Sequence, residues 1–212
     1  MTNIANDPLL LEVATYYSNK LALHGDTPRG VDWNGEESQL LRFDQLSNII
    51  NIQDFFSVND LGCGYGALYD YLLSRHKAFI YTGIDISADM INAAKVYFSD
   101  KHNAQFFTSN KPQQIADYSI ASGIFNVRLS QTESNWQSYI ERTLDLLDQS
   151  SRYGFAFNCL TLYSDSEKMK EYLHYANPCE LFDLCKRRYS PNVSLLHDYA
   201  LYEFTILVRK TL

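Results

Sequence analysis

The run Asp60-Leu61-Gly62-Cys63-Gly64-Tyr65-Gly66 constrains the fold of this chain more than any other stretch. Its glycines stand at alternate positions, between a short extended run and a segment, Ala67 to His76, that has the pattern of a helix. Because glycine has no Cβ, a ligand can approach the main chain and the N-terminus of the following helix closely. A glycine-rich loop without a ligand is the alternative, so the residues that follow decide between the two.

From residue 55 onward, segments with strand character alternate with segments of helical character. We predict strands at 56–61, 78–85, 104–109, 117–124 and 152–159. Helices are predicted between them at about 66–76, 87–101 and 132–149. Such alternation is typical of a parallel sheet whose crossovers are right-handed.

The last part of the chain departs from this alternation. After residue 160 we predict helices at about 165–175 and 178–188, followed by extended runs at 193–198 and 202–210. The two extended runs are too close in sequence for a helical crossover, so they should pair antiparallel. The sequence therefore predicts an α/β fold with a mostly parallel sheet, a C-terminal antiparallel hairpin and helices on both faces.

The first fifty residues are predicted to form a helical cap. Asn6-Asp7-Pro8 offers a cap and a first-turn proline for a helix that runs to about Leu23, and a second helix is predicted from Glu36 to about Ile50. Between them, residues 24–35 are rich in turn residues and form either a lid over a site or a plain connector. We expect one domain, 1–212, made of an N-terminal helical lid (1–50) and a core (51–212).

Composition limits the partners of the chain. The 212 residues carry a net charge of −7, which argues against attraction to nucleic acid or to an anionic membrane. The one tight basic cluster, Lys186-Arg187-Arg188, is interpreted as a solvated helix end. With no leader sequence and no apolar run of about 20 residues, we expect a cytoplasmic protein. The four cysteines lack paired C-x-x-C spacing, and no metal site is predicted.

An acidic residue, Asp85, ends the second predicted strand roughly 20 residues beyond the glycine run, where a carboxylate suits a bidentate grip on ribose hydroxyls. Helix capping is its alternative role, although Ser87 is better placed for that. Nicotinamide dinucleotides also use such an acid, but the glycine spacing here differs from G-x-G-x-x-G. The carboxylate of Asp60 suits a cation, such as an ammonium or a sulfonium, better than a pyrophosphate.

Together, Asp60–Gly66 and Asp85 resemble the motif pair of class I S-adenosylmethionine (SAM)-dependent methyltransferases. The sheet pattern resembles the Rossmann-like, seven-stranded arrangement of that family, and the resemblance covers roughly residues 55–212. It implies SAM as cofactor and S-adenosylhomocysteine (SAH) as product.

The resemblance also implies a set of cofactor-binding residues. They are Asp60, Gly62, Cys63 and Gly64 for the methionine part, Asp85 for the ribose, and Ile86 and Met90 for the adenine. Where the family often places an acidic residue near the adenine amine, this chain offers Ser109 and Asn110 instead. Asn59 also departs from the pattern, since the residue before the acid of the motif is usually apolar.

The segment from Ser122 to Arg128, after the fourth strand, should face both the methyl donor and the acceptor. We assign Ser122 to the cofactor and Asn126 to the acceptor, with a strand-end turn as the alternative for Asn126. The segment lacks the Asn/Asp-Pro-Pro-aromatic motif of methyltransferases that act on nucleobases or glutamine amides, and the paired glutamates of protein arginine methyltransferases are also absent. A small-molecule acceptor is therefore expected.

Further candidate residues come from the cap and from the strand ends. Arg42 is predicted to pair with the carboxylate of SAM, with an exposed surface charge as the alternative. Residues that could bind the acceptor are Trp33, Gln39, Asn158, Tyr175 and Tyr199. His24, His174 and His197 are candidate general bases, although a histidine in a strand is often a structural residue.

Methyl transfer from a sulfonium is an in-line displacement with a good leaving group, so alignment in a water-poor pocket supplies much of the acceleration. We predict a SAM-dependent methyltransferase that modifies N or O of a small polar metabolite, as a monomer or homodimer. Two alternatives remain open: a protein or RNA acceptor, and a SAM- or nucleotide-binding module without transferase activity.

Overall fold

The computed structural model describes residues 7–52 and 54–210. Its helices are α1 (Pro8–His24), α2 (Glu36–Ser47), α3 (Ala67–Leu73), α4 (Ala88–Tyr97), α5 (Glu133–Gln149) and α6 (Pro178–Arg188), with short 3₁₀ turns at Pro28–Val31 and Ser166–Lys168. Its strands are β1 (Phe56–Leu61), β2 (Phe79–Asp85), β3 (Ala104–Thr108), β4 (Ala116–Ala121), β5 (Ser151–Leu160), β6 (Asn192–Leu196) and β7 (Glu203–Arg209).

The seven strands form one sheet in the order β3-β2-β1-β4-β5-β7-β6. The first five strands pair in parallel, whereas β7 lies antiparallel to both β5 and β6. The predicted fold class is therefore confirmed. Strands β2 and β3 lie on one side of β1 and the other four strands on the opposite side. The topological switch point, where an open α/β sheet binds its ligands, is therefore at the carboxyl end of β1.

Apolar side chains cover both faces of the sheet. Along β5, Phe155 and Phe157 pack into the cluster that contains Trp136 of α5, whereas the intervening Ala156 belongs to the cluster with Leu46 of α2. This alternation follows from the two-residue period of a strand and places α5 and α2 on opposite faces. Helix α1 begins as predicted at Pro8, with the side chain of Asp7 accepting from the backbone N–H of Leu9, while Asn6 lies outside the described residues.

The prediction of a helix at 165–175 is wrong. Only the 3₁₀ turn Ser166–Lys168 forms there, and a further turn at 171–172 leads to an isolated β-bridge between Leu173 and Val127. The backbone N–H of His174 donates to the carbonyl of Asn126, and the carbonyl of Tyr172 accepts from Arg128 and Leu129. Pairing with the segment after β4 thus satisfies backbone groups that a helix would otherwise have used.

The strand predicted at 117–124 ends earlier than expected. Strand β4 stops at Ala121, and residues 122–126 turn away from the sheet through Gly123, whose φ is +74°. This turn, hereafter the β4 turn, places the side chain of Ser122 beside the glycine loop rather than within the sheet.

Candidate active site

The glycine loop is fastened to the end of β2 by backbone hydrogen bonds. The N–H groups of Gly62 and Cys63 both donate to the carbonyl of Ile84, at 2.7 and 3.1 Å. The N–H of Gly64 donates to the Asp85 carboxylate at 2.9 Å. The loop and the acidic residue after β2 are therefore one structural unit, although 21 residues separate Gly64 from Asp85.

Glycine is required at position 62 for two reasons. Its φ is +81°, and a Cβ built there would lie 2.1 Å from Cγ2 of Ile124 in the β4 turn.

We expect Gly62→Ala to lower the free energy of unfolding by about 1–3 kcal/mol, because the backbone is strained and the β4 turn must move. Chemical denaturation measures this loss. Gly35→Ala is the control, since a Cβ at Gly35 meets nothing within 4 Å; equal stability of the two variants would contradict the prediction.

The loop opens into a pocket of about 100 Å³ at the carboxyl ends of β1, β2 and β4. Residues between α1 and α2 cover it: a Cβ at Gly64 would lie 2.9 Å from Cγ1 of Val31, and one at Gly123 would lie 2.4 Å from the Trp33 ring. Val31 and Trp33 therefore lie directly on the glycine loop and on the β4 turn.

Two buried oxygens in this pocket have no hydrogen-bond partner among the described residues. They are Oδ1 of Asp60 and Oγ of Ser122. The Asp60 side chain is 2% exposed, and its other oxygen, Oδ2, accepts from the hydroxyl of Tyr81. Since buried polar groups are almost always paired, these two oxygens are candidates for contact with the polar part of a ligand.

Burial changes the acidity of the two carboxyl groups in the pocket. It raises the pKa of Asp60 to about 7, with the hydrogen bond from Tyr81 lowering it and the charge of Asp85 raising it. Burial also raises the pKa of Asp85, against hydrogen bonds from the backbone N–H groups of Ser87, Gly64 and Ile86. A cation in the pocket would therefore be favoured by both groups.

The Asp85 carboxylate accepts from the backbone of Ser87 at 2.8 Å and of Gly64 at 2.9 Å. Ser87 caps α4 by accepting from the N–H of Met90 at 3.2 Å, as expected. Asp85 nevertheless makes backbone contacts of its own while lining the pocket, so it both holds the loop in place and faces the cavity. Its hydrogen bonding to the hydroxyls of a ribose stays a prediction.

The structure brings most of the predicted cofactor residues to this pocket. Those that line it are Asp60, Gly62, Cys63, Gly64, Asp85, Ile86, Met90, Ser109, Asn110 and Ser122, together with Trp33 and Gln39 from the cap. The predicted residues that do not line it are Arg42, His24, His174, His197, Asn126, Asn158, Tyr175 and Tyr199.

Arg42 has a partner that the sequence did not suggest. Its Nε and Nη2 donate to the two carboxylate oxygens of Glu203 at 2.8 and 2.6 Å, and Nη1 donates to the carbonyl of Ser38 at 2.8 Å. The residue is 5% exposed, so it is not the exposed surface charge considered as the alternative. Its predicted pairing with the cofactor carboxylate would require this buried ion pair to open.

The remaining candidates lie away from the pocket lining. Asn126 accepts from the N–H of Leu160 at 2.9 Å, a contact that ties the β4 turn to β5. His24 ends α1, and His197 is exposed beyond β6, where its ring lies 6.0 Å from that of Tyr163. No described histidine lines the pocket, so a role as base stays a prediction for each of the three candidate histidines.

Sequence reasoning missed several residues of the pocket. Tyr17 of α1 and Tyr139 of α5 line it, and burial raises the pKa of both phenols. Val31 and Tyr65 also contribute. The sequence predicts Tyr17 only as part of the helix that runs to about Leu23. Its hydroxyl could have been singled out, because a buried tyrosine usually needs a polar partner.

The basic cluster at the end of α6 is largely neutralised. Arg187 pairs with Asp183 at 2.6 Å, Arg188 pairs with Asp145 at 2.5 Å, and Lys186 donates to the carbonyl of Pro191 at 2.7 Å. Among the described helices, none is both long and apolar enough to cross a membrane.

The sheet order, with a pocket at the carboxyl end of β1, is that of the class I methyltransferase fold. A profile described as a methyltransferase domain matches residues 59–152. Rv1506c, a Mycobacterium tuberculosis protein that carries a provisional methyltransferase name, is 60% identical over 162 residues, which are 76% of this chain and 98% of that protein.

Solved structures share the fold at low sequence identity. A DhpI–SAH complex superposes with a TM-score of 0.63 at 15% identity, covering 94% of this chain and 95% of that one. Human N-acetylserotonin methyltransferase in complex with SAM gives a TM-score of 0.67 at 14% identity, covering 99% of this chain and 60% of that one. The chain belongs to the methyltransferase family, and the resemblance found in its sequence is confirmed.

Proposed function

We propose that this methyltransferase binds SAM in the pocket of the glycine loop and transfers its methyl group to N or O of a small molecule. The observation that carries the proposal is Oδ1 of Asp60, a buried acceptor beside the loop that no described residue pairs with. SAM, when bound, supplies an electrophilic methyl group on a sulfonium. Its ammonium is the cation that a buried carboxylate in this position would hold.

The residues present fit such a group. Asp60 and Ser122 offer buried oxygens that have no partner in the described part of the chain, and Asp85 presents a carboxylate to the same cavity. Ile86 and Met90 add an apolar wall for an adenine. The proposal therefore assigns the ammonium to Asp60, the ribose to Asp85 and the base to the wall near Met90.

The cover over the pocket favours a small acceptor. Val31 and Trp33 approach the glycine loop and the β4 turn closely enough that a Cβ on either glycine would clash. No described lysine or arginine lines the pocket, whereas two carboxyl groups do, and most other lining side chains are apolar or aromatic. We therefore favour an acceptor without a negative charge, such as a neutral amine or a hydroxyl compound with an apolar body.

Since no described histidine lines the pocket, the chain contributes mainly by orientation and by exclusion of water. A neutral amine acceptor needs no base before the methyl group is transferred, and its proton can leave afterwards.

A monomer or homodimer of one domain, with 1–50 as cap and 51–212 as core, would suffice for this reaction. The four cysteines are free, which suits a reducing compartment such as the cytoplasm.

Binding of SAM should release a proton below pH 7. Because the folded-state pKa of Asp60, about 7, lies above the ordinary value of 3.8, the contribution of this group to stability is full below about pH 4 and is lost as pH rises to 7. A bound cation favours the ionised form, so the protein must give up its proton when SAM binds at pH 6. Affinity should then fall by up to about ten-fold per pH unit below pH 7.

Calorimetric titration at pH 6 and pH 8, each in two buffers of different ionisation enthalpy, measures this release. Asp85 adds a change of the same sign, so the difference between wild type and Asp60→Asn isolates the contribution of Asp60. Equal proton release by the two proteins would contradict the assignment.

The acceptor is identified by a product screen. The protein is incubated with SAM labelled in its methyl group and, in parallel reactions, with the metabolite, protein and RNA fractions of a cell extract. Labelled products are sought by mass spectrometry. A labelled small molecule without a carboxylate or phosphate supports the proposal. Label only in protein or RNA would replace the small-molecule acceptor by a macromolecule, and binding of SAM without any labelled product would favour a non-catalytic module.

A further inference from the structure

We propose that Asn158 and Glu203 are positioning residues for the cofactor pocket. They hold the β4 turn and Trp33, which covers the pocket, in one fixed arrangement. They do so through a closed ring of contacts, hereafter the ring, that runs through Gly123, Asn158, Glu203, Arg42 and Trp33. The inference rests on the proposed function, because it takes the pocket to be the SAM site. Neither Asn158 nor Glu203 lines that pocket.

The ring begins at the β4 turn. The backbone N–H of Gly123 donates to Oδ1 of Asn158 at 2.7 Å. Gly123 lies between Ser122 and Ile124, and all three residues line the pocket. Asn158 is 0% exposed, so no water competes for this hydrogen bond. The orientation of the Gly123 peptide, and with it the position of the Ser122 hydroxyl, therefore depends on the amide of Asn158.

The ring continues through a buried ion pair. Nδ2 of Asn158 donates to Oε2 of Glu203 at 2.6 Å, which orients the amide so that its oxygen faces Gly123. Glu203 is 1% exposed and accepts both hydrogen bonds of the Arg42 fork, at 2.8 and 2.6 Å. Bidentate pairs of this kind are directional as well as strong. The carboxylate thus fixes an amide on one side and a guanidinium on the other.

The ring closes at the lid. The guanidinium carbon of Arg42 lies 3.9 Å from the centre of the Trp33 ring, a cation–π contact. The same indole lies over Gly123, where a Cβ would come within 2.4 Å of its Cη2 and Cζ2 atoms. The contacts therefore begin and end at Gly123. They connect Trp33, which covers the pocket, to the β4 turn, which lines it.

This arrangement separates positioning from direct binding. If Asn158 loses its two hydrogen bonds, the Gly123 peptide is free to rotate and Trp33 loses the surface on which it rests. Affinity for the cofactor should then fall although no group that contacts the cofactor has been removed. A residue that merely stabilises the sheet would not change the environment of Trp33.

The test compares four variants of the full chain. Asn158→Ala removes both hydrogen bonds, and Asn158→Asp places a second carboxylate against Glu203. The double variant Asn158→Asp/Glu203→Gln restores one carboxylate and one amide with their positions exchanged. Thr205→Val is the control, because Thr205 is buried on β7, two residues from Glu203, and its hydroxyl pairs with Tyr199 outside the ring.

Two readouts are measured, the dissociation constant for SAH and the acrylamide quenching of Trp33 without ligand. The chain has two tryptophans, so Trp136→Phe in every variant leaves Trp33 as the reporter. We expect Asn158→Ala to weaken SAH binding about ten-fold and to increase quenching about two-fold, from the loss of two buried hydrogen bonds. Asn158→Asp should be at least as weak, and the double variant should bind SAH more tightly than Asn158→Asp.

Several outcomes would overturn the inference. These are unchanged SAH binding and unchanged quenching in Asn158→Ala, an equal loss in Thr205→Val, or a double variant no better than Asn158→Asp. Should Asn158→Ala fail to fold, Glu203→Gln, which keeps the size of the side chain, takes its place. If the wild type binds neither SAH nor SAM, the proposed function fails, while the quenching of Trp33 still decides whether the ring holds the lid.

Discussion

Replacing Asp60 with asparagine should weaken the binding of SAM by about 10- to 100-fold at pH 8, the range expected for one hydrogen bond to a charged group. Oδ1 of Asp60 is buried beside the glycine loop and has no hydrogen-bond partner within residues 7–52 and 54–210. Asparagine keeps the size of the side chain and can still accept from Tyr81, but it removes the charge that would hold the ammonium of SAM. Calorimetric titration measures the change in affinity.

A stability measurement separates this effect from misfolding. Because burial raises the pKa of Asp60 to about 7, the carboxylate that is ionised at pH 8 is unfavourable in the folded protein. Asp60→Asn should therefore unfold at the same or a higher denaturant concentration at pH 8. Asp70→Asn, which removes an exposed carboxylate from α3, serves as the control and should bind SAM as the wild type does. Equal affinities of Asp60→Asn and wild type would contradict the assigned role.

Replacing Arg42 with methionine should lower the free energy of unfolding by about 3–5 kcal/mol, because Glu203 would be left buried and without its ion partner. The side chains of Arg42 and Glu203 are 6% and 1% exposed. The double variant Arg42→Met/Glu203→Met should recover part of the loss, since apolar residues can replace a buried ion pair at little cost. Recovery should be incomplete, because Asn158 would still lack an acceptor for its amide.

The matched control for Arg42 is Arg187→Met. Arg187 also pairs with a carboxylate at 2.6 Å, but the side chains of Arg187 and Asp183 are 79% and 58% exposed. Exposed pairs contribute about 1 kcal/mol or less. Chemical denaturation of both variants measures the contrast. A loss of less than 1 kcal/mol in Arg42→Met would show that the pair opens readily, and the predicted contact of Arg42 with SAM would then gain support.

The sequence was sufficient to predict the fold because each strand from β1 to β7 carries its own local pattern. Asp60, Gly62, Gly64 and Asp85 could be found for a similar reason. A carboxylate before the first glycine and another after the next strand have a chemical meaning that does not depend on distant residues. The structure adds that Gly64 and Asp85 are hydrogen-bonded to each other.

The contacts that the sequence could not supply are those between distant segments. Arg42 and Glu203 are 161 residues apart, and nothing near either residue indicates its partner. The helix predicted at 165–175 failed for a related reason, since that segment pairs instead with the chain that follows β4. Tyr17 and Tyr139 reach the pocket only because α1 and α5 pack beside it, which depends on the tertiary arrangement.

Calorimetric titration of the wild-type protein with SAM shows whether the pocket of the glycine loop is a SAM site. We expect saturable one-to-one binding, with a dissociation constant between about 1 μM and 1 mM, the range typical of enzyme substrates. SAH should compete for the same site, and Asp85→Ala should weaken binding. Absence of binding by the folded wild-type protein, or binding that Asp85→Ala leaves unchanged, would contradict the assignment of this pocket to SAM.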